Sequence, residues 1–222
     1  MKKEERGEAL AISKRIIAAL ISFSIEAGDD GANLRSAVGK YMANFYELIN
    51  TNTVGAELYN CFELARVAGA TLDSLDNVRV AMFLETPIYP LGFALVNASI
   101  MFSFVEQSQL ISVMSFDSRE QVDVLLDKMG AIIEQIKLNE ADEFVASDYQ
   151  NFVMLAALLI QHLSSTERQL PRVVRYQFPI SFPSLTLAQR IYTDASRSDE
   201  LVAENETVHP AFMQRDIIAL SS

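Results

Sequence analysis

From Ala9 to Leu163 the apolar residues recur at helical spacing, and this restricts the first two-thirds of the chain to packed amphipathic helices. Ala9, Ile12, Ile16, Ala19, Leu20 and Phe23 form the first stripe, on a helix predicted to end at Gly28. Asp29, Asp30 and Gly31 read as a turn, and Leu34, Val38, Tyr41, Phe45 and Leu48 make a second stripe. Leu58, Cys61, Phe62, Ala65, Ala68 and Leu72 make a third, with room to continue past Leu75, and the apolar run after Pro90 makes a fourth. Asp117 or Ser118 caps a fifth, carried by Val122, Leu125, Met129, Ile132 and Ile136. Asp148 is placed to cap a sixth, with Phe152, Ala156, Ile160 and Leu163 on its face.

The pattern stops at Leu170 and Pro171. Val173, Val174, Tyr176, Phe178 and Ile180 then suit a strand between Arg172 and Ser181, with Pro179 marking it as an edge strand or cutting it short. Leu187, Ala188, Ile191 and Tyr192 return to helical spacing. Asp194 and Ala195 break it, and Ser196 with Asp199 three residues on reads as a capping box for a second short helix. That helix carries Leu201 and Val202 and is predicted to end at a left-handed Asn205, before an extended tail from Ala211 to Leu220. The fold class is therefore mostly α: a helical domain over residues 1–166, then a small α+β unit over 172–222 in the order strand, helix, helix, strand.

Charge narrows the partners. The net charge of −11 opposes phosphate binding, which needs clustered Lys and Arg, so no direct nucleic-acid contact is expected. The one basic patch, Arg168, Arg172 and Arg175, reads as a solvated edge. Thr86 to Val105 carries no charge and approaches the length of a membrane span. Pro87, Pro90 and Gly92 interrupt its start and Asn97, Ser99 and Ser103 are polar, so a helix buried by its neighbours is the expectation. Lys2 and Lys3 run into acidic residues with no cleavage pattern, so no secretory leader is expected.

Catalytic patterns are missing from the sequence. With His162 and His209 as the only histidines, a histidine-rich metal site cannot be assembled, and there is neither a Cys pair nor a phosphate-binding glycine loop. Cys61 lies on a helical stripe and reads as a core residue, His162 as a core or boundary residue, and His209 as the holder of a turn. The paired carboxylates Asp29–Asp30, Glu140 with Asp142–Glu143, and Asp199–Glu200 read as turns and helix starts. No catalytic, metal-binding or cofactor-binding residue is assigned, and the chain is expected not to be an enzyme.

Leu187, Ala188, Arg190, Tyr192, Asp194, Ala195, Ser196, Arg197, Asp199, Glu200, Leu201, Asn205, His209, Pro210 and Phe212 carry a resemblance. This stretch resembles the C-terminal end of the DNA circularisation proteins of Mu-like tailed phages, a tail and baseplate family. Thr193 stands where that family usually has Gly, and Met213, Gln214 and Arg215 replace its Pro-Gly. The order from Arg172 to Leu220, with an Asn ending the second helix, also resembles a LysM-like module.

The resemblance implies a non-enzymatic structural component of a contractile tail, at the baseplate or hub. Such a chain is made in the bacterial host cytoplasm, incorporated in the virion, forms homo-oligomers in the particle, and docks to tube, hub or spike proteins. The LysM-like order implies the alternative, a peptidoglycan-binding module whose groove would use Tyr176, Tyr192 and Phe212. The candidate docking residues are Arg190, Tyr192, Asp194, Ser196, Asp199, Glu200, Asn205, His209, Pro210 and Phe212. Among them Tyr192 and Phe212 are expected to bury their rings, Asp199 to cap the second helix, and Arg190 to lie within reach of Asp194 across one turn.

Overall fold

The computed structural model describes residues 2–22, 28–140 and 146–221. Phe23, Asp142 and Glu143 lie outside the described residues, as do the side chains of Glu140 and Asp148. Over the described residues the chain is mostly helical, with one small antiparallel sheet near its end. It divides into two compact units, Met1–Met114 and Ser115–Ser222. The composition change at Leu170–Pro171 falls inside the second unit, between a helical pair and the α+β part.

The first unit contains α1 (Lys3–Leu20), α2 (Asp29–Ala43), α3 (Phe45–Asn50), α4 (Val54–Val67), α5 (Leu72–Phe83) and α6 (Pro90–Val113). The centre is α6, which packs on α1, α4 and α5 and begins at Pro90, a residue suited to the first helical position. Its buried serines, Ser99, Ser103 and Ser108, bond back to carbonyls one turn earlier at 2.8 Å, so these hydroxyls are satisfied within the helix. Gly92 permits the close approach of α1, since a Cβ there would lie 2.9 Å from Cδ1 of Ile12. No helix among the described residues is long and apolar enough to cross a membrane.

Several local expectations are corrected in this unit. Described α1 ends at Leu20, and Gly28, with φ of 135°, precedes α2 instead of ending α1. Asp29, Asp30 and Gly31 form the first turn of α2, where acidic side chains face the positive end of the helix dipole. Asn44 divides the second stripe into α2 and α3. The third stripe is two helices: Gly69, at φ 97°, lets Ala70 N–H bond back to Ala65, and Thr71 and Ser74 then cap α5 reciprocally. Cys61 is fully buried, and burial pushes its thiol up to about 12, leaving it protonated and inert.

The second unit opens with α7 (Arg119–Glu140) and α8 (Ala146–Glu167), whose predicted stripes face each other. Val122, Leu125, Met129, Ile132, Ile136, Phe152, Ala156 and Leu163 are all buried. His162, expected at a core or boundary position, is exposed on α8, where it lies on the flank of the stripe that buries Leu159 and Leu163. Arg119 then ties the start of α7 to the following segment, donating its N–H to Pro171 at 3.0 Å and its Nε–H to Leu170 at 2.7 Å.

The remainder is β1 (Val173–Gln177), α9 (Ser184–Tyr192), a 3-10 turn (Ala195–Arg197), α10 (Ser198–Glu204) and β2 (Asp216–Leu220). The strands pair antiparallel, Val173 with Leu220 through Gln177 with Asp216. β1 ends before Phe178 and Pro179, and is shorter than the span predicted to Ser181. Leu187, Ala188, Tyr192, Leu201, Met213, Ile217 and Ala219 form the core of this part, with Phe178, Phe182, Ile191 and Val202 around it. Each large apolar side chain buried this way contributes about 1.5–3 kcal/mol, so a core this small depends on every member.

Candidate functional site

The candidate residues fall on α9, the 3-10 turn, α10 and the loop before β2. Their geometry divides them into residues that build the unit and residues that face outward.

Tyr192 is a builder. It closes α9 with only 9% of its surface exposed, and its hydroxyl accepts the Leu220 N–H at 3.2 Å while donating to Glu200 at 3.3 Å. The Arg197 guanidinium lies 3.7 Å from the centre of its ring, a cation–π contact, and is held there by a two-pronged pair with Glu200 at 2.6 and 2.8 Å. Burial, then the Glu200 charge, pushes the Tyr192 hydroxyl up to about 12, whereas Arg197 holds the Glu200 carboxyl below its usual range. Arg197 is absent from the expected docking set. Its spacing from Glu200, three residues along a helix start, is the signal that could have found it.

Asp194 and Ser196 act together, in a way the sequence pattern misassigns. Asp194 Oδ1 accepts the Ser196 N–H at 2.9 Å and its hydroxyl at 2.7 Å, which caps the 3-10 turn and holds the Asp194 carboxyl below its usual range. The expected Ser196–Asp199 box does not form: α10 begins at Ser198 with no side-chain cap, and Asp199 is an exposed residue of its first turn. Nor do Arg190 and Asp194 pair. The helix ends at Tyr192 and Thr193 turns left-handed, so Asp194 leaves the helix face while the Arg190 guanidinium lies 4.2 Å from the Phe182 ring centre.

Thr193 has φ of 59°, so the position where the resembled family has Gly is one where a Cβ is strained.

Asn205 is not left-handed; its φ is −102° and the left-handed residue is Glu206, at 46°. Glu206 N–H bonds to Ala203 and Thr207 N–H to Val202, the paired bonds of a Schellman ending. Asn205 is thereby free to use its carboxamide as a substitute peptide. Its Oδ1 accepts the Ile218 N–H, and its Nδ2 donates to the carbonyls of Ile218 and Leu201, all at 2.8 Å.

No family model and no curated protein matches the chain.

The outward residues lie around the turn before β2. His209 Nδ1 accepts the Ala211 N–H at 3.3 Å, and its ring sits 5.5 Å from that of Phe212. Pro210 presents its carbonyl to the Ser184 N–H at 2.8 Å, which joins this turn to the start of α9. Phe212, expected to be buried, is 72% exposed; its neighbour Met213, at 1%, occupies the core instead. Val208 is fully exposed and Leu185, beside Ser184, is 59% exposed. Nearby, Tyr176 lines a depression of about 330 Å³ with Gln177 and Asp216, and neither Tyr192 nor Phe212 takes part in it. Among the described residues no three His, Cys, Asp or Glu side chains come together as a metal-binding group.

Proposed function

We propose that this chain is a non-enzymatic structural component of a contractile phage tail, at the baseplate or hub, and that its C-terminal strand–helix–helix–strand part is a docking module for tube, hub or spike proteins. The observation that carries this reading is the exposed Phe212. Most of the candidate residues, including Tyr192, Asp194, Ser196, Glu200 and Asn205, bond within the unit and give it shape. Phe212, by contrast, is a large ring with no interior role, set on a turn that Ser184 N–H fastens to α9, with exposed Val208 and Leu185 on the same joined segments. Exposed apolar groups of this kind are the composition of a protein-binding anchor, and Arg190, on the same helix as Leu185, adds an arginine to the joined segments. The resemblance to the Mu-like circularisation proteins supplies the setting: a virion protein made in the host cytoplasm, repeated in the particle. The acidic net charge supports protein partners over DNA.

The peptidoglycan-binding alternative has less support, because Tyr192 is covered by Arg197 and cannot stack on a sugar ring. Two measurements separate the readings. Phe212→Ala and Arg190→Ala should leave the free chain folded and block its incorporation into tail particles, and the wild-type chain should not sediment with purified cell-wall sacculi. Normal assembly of both variants overturns the docking proposal; retention on sacculi supports the glycan reading.

A further inference from the structure

The two outer edges of the small sheet are finished differently. Phe178 N–H bonds to Arg215 and Ser221 N–H to Arg172, which fixes the phase of the ladder: positions 172, 174, 176 and 178 direct their backbone groups at β2. The groups of Val173, Arg175 and Gln177 therefore point away from it, as do those of Asp216, Ile218 and Leu220 on the other strand. On β2 this outward edge is closed by side chains, with Asn205 on both groups of Ile218 and Tyr192 on Leu220 N–H. On β1, among the described residues, only Val173 N–H is taken, by Glu120 at 3.0 Å. Arg175 and Gln177 keep an outward N–H and C=O each, on exposed residues beside the 330 Å³ depression.

We infer that the outer edge of β1 accepts an extended acidic segment of a partner protein, which adds a third strand through Arg175 and Gln177. An edge with alternating free donors and acceptors is completed by another peptide strand, the geometry of strand addition. A phosphodiester backbone offers acceptors alone and matches only half of it. Charge selects the kind of strand. Between Arg168 and Thr193 the sequence has four arginines and neither Asp, Glu nor Lys, in a chain of net charge −11; of the carboxylates brought to the sheet from elsewhere, Glu120 is engaged by Val173 N–H and Asp216 lies on the paired strand. None of the ion pairs described uses Arg172 or Arg175. An antiparallel second copy centred on Arg175 would set that arginine opposite its twin, which is repulsive, so self-pairing in that register is disfavoured. This inference rests on the docking reading and adds to it the partner's form and charge.

The test uses the full chain and a short fluorescent peptide of alternating Glu and Val, with a Lys and Val peptide as its counterpart. The expected result is saturable binding of the Glu peptide, slowed amide exchange at Arg175 and Gln177, and no binding of the Lys peptide. Gln177→Pro removes an outward N–H that the β1–β2 ladder does not use, and should weaken binding by about tenfold or more, the worth of one hydrogen bond and a steric block. Arg175→Glu leaves the backbone intact and should exchange the preference toward the Lys peptide. Binding of neither peptide means that the arginines merely guard the edge, and overturns the proposal. So do equal binding of both peptides, indifference to Gln177→Pro and Arg175→Glu, self-association that Gln177→Pro abolishes, or displacement by a single-stranded oligonucleotide. A failure here leaves the particle-assembly result with Phe212→Ala and Arg190→Ala standing, so the two readings fail separately.

Discussion

Replacing Asn205 with aspartate isolates the closure of the β2 edge with almost no change in volume. The carboxamide makes three bonds of 2.8 Å, accepting from Ile218 N–H and donating to the carbonyls of Ile218 and Leu201. A carboxylate retains the accepted bond and turns both donated ones into oxygen facing oxygen. Two hydrogen bonds of about 1 kcal/mol each are lost, and two partly buried carbonyls are left without that partner, so Asn205→Asp should destabilise this part by about 2–4 kcal/mol at neutral pH. The sign with pH follows from the same contacts. Two carbonyl oxygens oppose the charged form, so the introduced carboxyl has its pKa raised on folding, and stability returns as pH falls through that value and is lost as pH rises. The chain has two units, and a global melting curve would blend them, so amide exchange at Ile217 to Leu220 is the appropriate assay. The expected change at neutral pH is acceleration of roughly 30- to 1,000-fold. Protection within a few-fold of wild type would refute the claim that this side chain closes the strand at Ile218.

Three further outcomes follow from other contacts. Thr193→Gly should raise the stability of the α+β part by about 1 kcal/mol, since the left-handed position no longer carries a β-branched side chain; urea unfolding followed by exchange in β2 checks it. Arg66→Ala should destabilise the first unit by about 3–5 kcal/mol, because Glu106 is fully buried, its Oε2 is held at 2.6 Å by Arg66 Nε, and its Oε1 has no hydrogen-bond partner among the described residues; adding Glu106→Leu to that variant should recover much of the loss in chemical denaturation. At high pH the Tyr192 hydroxyl, pushed to about 12, ionises later than in the unfolded chain, so its contribution is intact below about pH 10 and fades toward about pH 12. Tyrosinate absorbance of wild type against Tyr192→Phe reads that window, and should show one late-titrating group fewer in the variant.

Helical stripes were legible because the information is local. Val122, Leu125, Met129, Ile132 and Ile136 lie on one face whatever they pack against, since helix geometry alone relates residues three and four apart. The same holds for Leu187, Ala188 and Tyr192 on α9, and for the break at Leu170–Pro171, where Pro removes a backbone donor. Thus the class of fold, mostly helical with a strand-bearing end, follows from the order of residues.

The candidate site was less legible because its residues choose partners far away in the chain. Asn205 has the composition of a left-handed cap, yet Ile218, which lies beyond the helix and its loop, draws its carboxamide outward and leaves Glu206 to make the turn. Phe212 and Met213 are adjacent and both apolar. Phe212 lies on the bend closed by its N–H to His209, and only the position of the following segment against α9 and α10 decides that Met213 enters the core and Phe212 faces out. Asp194, Ser196 and Asp199 offer two competing caps of similar strength, and the left-handed turn at Thr193 selects the first. Local periodicity thus determined which residues form helices, and the tertiary packing alone decided which polar and aromatic groups were spent inside the fold and which were left exposed.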